Sequence, residues 1–264
     1  MSGLMTKAAR DQRRSMIAWG IGIGAVVVMY AAFYPSIKGS AAELQAYLDN
    51  LPEAIRNIVA AEDYTSPVGY LESEFFNTMG PLVMVIFAIG AGARAIAGEE
   101  EAGTLDLLLS APVRRREVLA TKAIAIVASA LVLAAIAAAA IAVLGPPFDL
   151  SVSLGDLLAA CLMLALLGLA FGGMALAVGT ATGRRTLANA VTGGLAVLAF
   201  IVNAVGPTVD WIRPLRPLSP FRWYQDPGVL TDGLHPMNVL VLSGIAVVTY
   251  AIAHLAFVRR DLSS

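Results

Sequence analysis

Charge is scarce in this chain. Only 14% of its 264 residues are charged and mean hydropathy is +0.75, whereas soluble domains carry about a quarter charged residues. That excludes a soluble globular protein and points to a polytopic membrane protein. Cysteine is nearly absent: Cys161 stands alone, so no intrachain disulfide can form, and it lies in an apolar run where a small polarizable side chain packs well. Histidine is confined to His235 and His254. No cluster of His, Cys, Asp and Glu has metal-ligand spacing within the apolar runs, so neither a metal nor another cofactor on this chain is expected. The glycine-rich G-x-x-x-x-G-K-[ST] run that cradles ATP phosphates is missing. Its nearest imitation, "GTATGRRT" at Gly179 to Thr186, lacks the lysine and sits between two apolar runs. Basic residues have no adjacent aromatic platform, which argues against nucleic acid as a partner. There is no internal repeat and no low-complexity linker, so residues 1–264 read as one domain. The first apolar run is followed by aromatics and Pro35 rather than a small-residue cleavage site, and it is expected to be kept as a span.

What is present is length of apolar sequence. Crossing a hydrocarbon core of about 30 Å takes about 20 helical residues, and six segments meet that need: Met16 to Tyr34, Met79 to Ala97, Thr121 to Leu144, Leu157 to Gly179, Leu187 to Val205 and Met237 to Val258. The fold class is therefore all-α with six transmembrane helices. Lys7, Arg10, Arg13, Arg14, Arg94, Arg114, Arg115, Arg116, Lys122, Arg184, Arg185, Arg259 and Arg260 gather on one side of those spans. Lys38, Arg56, Arg213, Arg216 and Arg222 fall on the other. The positive-inside rule then places both termini in the cytosol.

Two connections on the outer side are too rich to be simple turns. Leu44, Tyr47, Leu48 and Leu51, then Ile55, Ile58 and Val59 beyond Pro52, recur at helical spacing and predict two short amphipathic helices. Ser66 before Pro67 reads as an N-cap with proline at the first helical position, opening a helix that continues into the second span. Gly206 to Pro236 combines many prolines with Trp211, Phe221, Trp223 and Tyr224, and predicts a short re-entrant or interfacial structure.

The densest charge lies between spans two and three, in "GEEEAGTLDLLLSAPVRRREVLATK" from Gly98 to Lys122. Glu99, Glu100 and Glu101 are expected in the first turn of a helix, where carboxylates favour the positive end of the peptide dipoles. Ala102, Leu105, Leu108 and Leu109 would share one face, with Glu99, Asp106 and Ser110 towards another. Pro112 ends that helix and suits the start of the next, which carries Arg114 to Arg116 towards span three. Such a corner either docks on a soluble partner or anchors at the membrane surface while setting topology; the residues leave both open.

The stretch "EEEAGTLDLLLSAPVRRREVLATK" resembles the segment after the second span in ABC-2 type transporter permeases, with acidic-x-Gly-Thr-Leu, a leucine run, Pro-Val-Arg and a downstream lysine. "YTSPVGYL" at Tyr64 to Leu71 and "LSPFRWYQDPGVLTDG" at Leu218 to Gly233 look like segments of bacterial members. The resemblance implies a permease subunit of a bacterial inner-membrane exporter, which works as two permease chains, identical or not, with two ABC ATPase chains that bind ATP and magnesium. It implies that Glu99, Glu100, Glu101, Gly103, Thr104, Leu105, Asp106, Leu108, Leu109 and Pro112 form a coupling helix docked on the ATPase. It further implies an amphipathic helix before span one, lying along inner-leaflet lipid, with Lys7, Arg10 and Arg14 on one face. The alternatives are a channel or scaffold that needs no nucleotide and, behind it, an intramembrane hydrolase using Ser129, Cys161, Asn203 or His254.

Within the spans, Arg94 either extends its head to the interface or serves as a pathway or gate residue. Asn203 either bonds a neighbouring helix or meets cargo in the pathway.

Overall fold

A computed structural model describes residues 2–40, 66–104 and 114–259, with side chains from residue 15 onward. The two amphipathic helices expected around Leu44 to Val59 lie outside these residues, as do Leu105, Asp106, Leu108, Leu109 and Pro112. Among the described residues there is no strand, and six helices are long and apolar enough to cross a membrane. The first, α1, spans Ser2–Gly39 without a break, so the basic N-terminal residues prolong the span.

The second helix, α2, covers Pro67–Glu101 and starts well before Met79. Its N-cap is Ser66, whose Oγ accepts from the Gly69 N–H at 3.0 Å, with Pro67 in the first turn. The helix widens twice into π-helical turns, at Glu72–Met79 and Arg94–Gly98. The first widening follows from Pro81, which has no N–H for the Asn77 carbonyl four residues back. The Gly80 N–H bonds instead to the Phe75 carbonyl, which also leaves the Phe76 carbonyl without that donor. Two neighbouring carbonyls, of buried Phe76 and half-buried Asn77, thus seek donors elsewhere.

Helices α3 (Arg115–Leu144), α4 (Leu154–Thr182) and α5 (Arg185–Val205) follow. A short helix, α6 (Pro220–Gln225), precedes the last span, α7 (Pro236–Arg259). Helix α4 is the hub, packing against α2, α3, α5 and α7. In α2 and α4, 67% of the most apolar window is buried, against 17% in α1 and α7 and 22% in α5. The outer helices therefore offer their apolar faces to lipid or to another chain.

Close approach at the hub depends on missing side chains. A Cβ on Gly92 would lie 2.2 Å from the Gly172 carbonyl oxygen, and one on Gly168 would lie 2.7 Å from Met84 Cγ. The Gly168 and Gly172 pair therefore serves contact between α2 and α4 within the chain.

The bundle has two chemically distinct ends. One carries Arg94, Lys122, Arg184, Arg185 and Arg259, and is here the basic end. The other carries the connection from Gly206 to Pro236, and is here the proline-rich end. There a 3₁₀ segment at Arg213–Leu218 leads into α6, which turns back into the bundle. Phe221 lies between Phe171 and Phe200, with ring centroids 5.3 and 5.5 Å away, and Ser219 Oγ donates to the Ala199 carbonyl at 2.8 Å.

Candidate functional site

At the basic end the last turn of α2 is made of Glu99, Glu100 and Glu101. The helix stops just beyond them: Gly103 adopts φ +65, its N–H reaches the Glu100 carbonyl at 3.0 Å, and the Thr104 N–H reaches the Glu99 carbonyl at 2.9 Å. This is a Schellman ending with glycine at the left-handed position. The glutamates therefore close a helix rather than open one, which corrects the expectation from the sequence. Carboxylates at a helix C-terminus oppose the peptide dipoles by about 0.3–1 kcal/mol each.

Specific partners offset that cost. Glu99 Oε1 accepts from Lys122 Nζ of α3 at 2.7 Å, with the two side chains 15% and 19% exposed. Thr104 Oγ1 donates to the other oxygen, Oε2. Glu101 Oε1 accepts from the backbone N–H of Arg185 at 2.8 Å, capping the start of α5. Hydrogen bonds to charged groups contribute about 1.5–3 kcal/mol, so these contacts outweigh the dipole penalty. The consequence is mechanical: the turn that leads into residues 105–113 is bonded to α3 and α5 as well as being the end of α2.

A cavity of about 320 Å³ opens beside this turn, lined among others by Arg94, Glu99, Thr104, Lys122 and Arg185. The exposed Arg94 side chain folds back along its own helix. A Cβ on Gly90 would lie 3.5 Å from its Nη1, so the guanidinium sits about one turn back towards the bundle centre. Helical side chains lean towards their helix N-terminus, and α2 runs from the proline-rich end to the basic end. The lean therefore carries this cation inwards.

Asn203 occupies the opposite end and is buried and bonded. Its Nδ2 donates to Gln225 Oε1 at 2.6 Å and its Oδ1 accepts from Arg216 Nε at 3.2 Å. Arg216 also pairs with Asp226 at 3.4 Å. The two carbonyls released by Pro81 find donors here: Tyr224 OH reaches Phe76 O at 2.7 Å and Gln225 Nε2 reaches Asn77 O at 2.9 Å. Glu72, 7% exposed, accepts from the Val229 and Leu230 N–H groups at 3.0 and 2.6 Å. Asn203 is thus part of a hydrogen-bonded network at the proline-rich end, away from the cavity at Arg94. Burial pushes the Tyr224 phenol well above its ordinary range.

Sequence reading missed Glu72, Arg185 and Asn189. Nothing local marks them, because their partners come from distant elements. The proline at 81 was the available signal for free carbonyls on α2.

The residues of the hydrolase alternative are not gathered into a site. Ser129 Oγ donates to its own helix at Ala125 O, 2.6 Å away, His254 neighbours Tyr250, and Cys161 is buried in α4. No group of three His, Cys, Asp or Glu suited to a metal occurs among the described residues.

The ABC-2 family transporter protein model matches residues 4–262, nearly the whole chain. The chain belongs to the ABC-2 transporter family. No curated relative matches it. As an ABC-2 family member it is a multi-pass membrane subunit of an ABC transporter, of a kind that is typically not itself catalytic and that partners an ABC ATPase.

Proposed function

We propose that this permease couples ATP hydrolysis on a separate subunit to export across a bacterial inner membrane. Two permease chains, identical or different, would work with two ATPase chains, which hold the ATP and magnesium. Both termini and the basic end would be cytosolic, as the distribution of lysine and arginine favours.

The observation that carries this reading is the bonded turn at Glu99 to Thr104. It leads directly into the leucine-rich segment 105–113, and its side chains reach α3 and α5. An ATPase pressing on that segment would push three helices together. Nucleotide can shift the pathway only if docking differs between the two states of the partner, so the contacts of Leu105, Leu108 and Leu109 must change during the cycle. Differential docking is the energetic core of the proposal. The uncovered apolar faces of α1 and α5 support a second permease beside them.

Affinity purification of the detergent-solubilised chain tests the reading. An ABC ATPase should copurify with the wild type and be lost from Leu105→Asp, while both permeases insert equally. Equal retention of the ATPase by this variant would overturn the assignment of the coupling segment.

A further inference from the structure

Lys122 is matched by Glu99, and Glu101 engages the α5 backbone. Neither Arg94 nor Arg185 has an ion-pair partner among the described residues. Their stems both pass close to Gly98, where an added Cβ would lie 3.4 Å from Arg94 Cβ and 4.0 Å from Arg185 Cδ. Two cations therefore line the same space beside the last turns of α2. Intramembrane cations are costly and are normally matched by a partner or mark a ligand path.

Both arginines also line a second cleft, of about 350 Å³, between α1, α2 and α5. Its other walls include Trp19, Ile86, Phe87, Asn189 and Gly193. Ile86 is 51% exposed, so the cleft continues onto an apolar flank. Asn189 Oδ1 is buried without a hydrogen-bond partner. The cleft therefore presents two guanidinium forks, an acceptor awaiting a donor, and an apolar wall. Guanidinium groups match the oxygens of a phosphate in bidentate fashion, and a head-group hydroxyl or amine would serve Asn189.

We propose that this cleft binds the net-anionic, phosphate-bearing head of an amphiphile that also carries a hydrogen-bond donor, with Arg94 and Arg185 on the phosphate, Asn189 on the head-group donor, and the acyl chain along Ile86 and Trp19. The site does not depend on the coupling proposal, since it needs no nucleotide.

Native mass spectrometry of the purified full chain, released from detergent after incubation with phosphatidylglycerol or phosphatidylcholine, tests it. Phosphatidylglycerol should be retained over phosphatidylcholine by about tenfold or more. Arg94→Gln and Arg185→Gln should each reduce its retention about tenfold, and Arg94→Lys should fall between, because charge stays while the fork is lost. Arg259→Gln, at the same end but outside the cleft, should retain the lipid as the wild type does. Displacement by millimolar inorganic phosphate would show that the phosphate group alone is recognised; failure to displace would show that the intact lipid is required. Either outcome supports an anion site. Wild-type retention by the Arg94→Gln/Arg185→Gln double variant, or equal retention of phosphatidylcholine, would overturn it and leave the arginines as topology signals.

Discussion

At the proline-rich end, the side chains of buried Glu72 and Tyr224 and half-buried Gln225 bond to backbone groups of another element. At the basic end, Glu99 meets the lysine of α3, while Arg94 and Arg185 face open cavities. Backbone partners fix one arrangement, because a carbonyl or amide cannot leave without moving its helix or loop. Side-chain ion pairs can be exchanged for other partners at much lower cost. Both ends mix the two kinds of contact, since Glu101 also bonds the Arg185 N–H and Arg216 pairs with Asp226, so the difference is one of degree: more backbone bonds hold the proline-rich end, and more unmatched cations lie at the basic end. On the proposed coupling, the proline-rich end would act as a seal, and the basic end would carry the groups that change partners during a cycle.

Breaking the seal should have the largest effect. Glu72→Ala leaves the amides of Val229 and Leu230 buried without acceptors, each costing about 1–3 kcal/mol. Thermal unfolding of the detergent-purified chain should show a loss of about 2–6 kcal/mol. Retention of wild-type stability would mean that the loop does not depend on this carboxylate.

The comparison is sharpened at the basic end by a double-mutant cycle on Glu99→Gln and Lys122→Met. Coupling of about 1–3 kcal/mol is expected for a mostly buried charged pair. A coupling near zero would remove the link between α2 and α3.

Next in size is Gly103→Ala. A Cβ meets nothing within 4 Å there, so the whole effect comes from the left-handed backbone. Unfolding should show a loss of about 1–2 kcal/mol.

Tyr224→Phe removes one buried hydrogen bond but keeps the ring, and should cost about 0.5–1.5 kcal/mol. Smallest of all is Lys38→Ala, which removes a pair with Asp149 whose side chains are 53% and 72% exposed. Its loss should change stability by less than about 1 kcal/mol.

Much of this architecture could be read before any coordinates. Apolar length alone revealed the spans, and the Ser66–Pro67 pair located the start of α2 well ahead of its apolar core. The three glutamates were misread because the dipole argument weighs charge alone and places acids at a helix start. The stronger signal was Gly103 followed by Thr104: a glycine beyond the last turn marks a C-terminus. Glu72 and Asn203 could not be assigned, because the groups that satisfy them lie across the fold and a single sequence carries no record of that pairing. The inward lean of Arg94 was hidden for a related reason. It depends on helix direction together with the vacancy that Gly90 leaves one turn away.

The most direct test of the account is photo-crosslinking in intact cells, with a photoreactive amino acid at Leu105 or Leu108 and, as comparison, at Trp211 or Leu215 of the proline-rich end. Mass spectrometry of the adducts should identify an ABC ATPase, recognised by its Walker A peptide, from positions 105 and 108 alone. Adducts with that ATPase from positions 211 and 215, or none from 105 and 108 in cells where the transporter assembles, would contradict it.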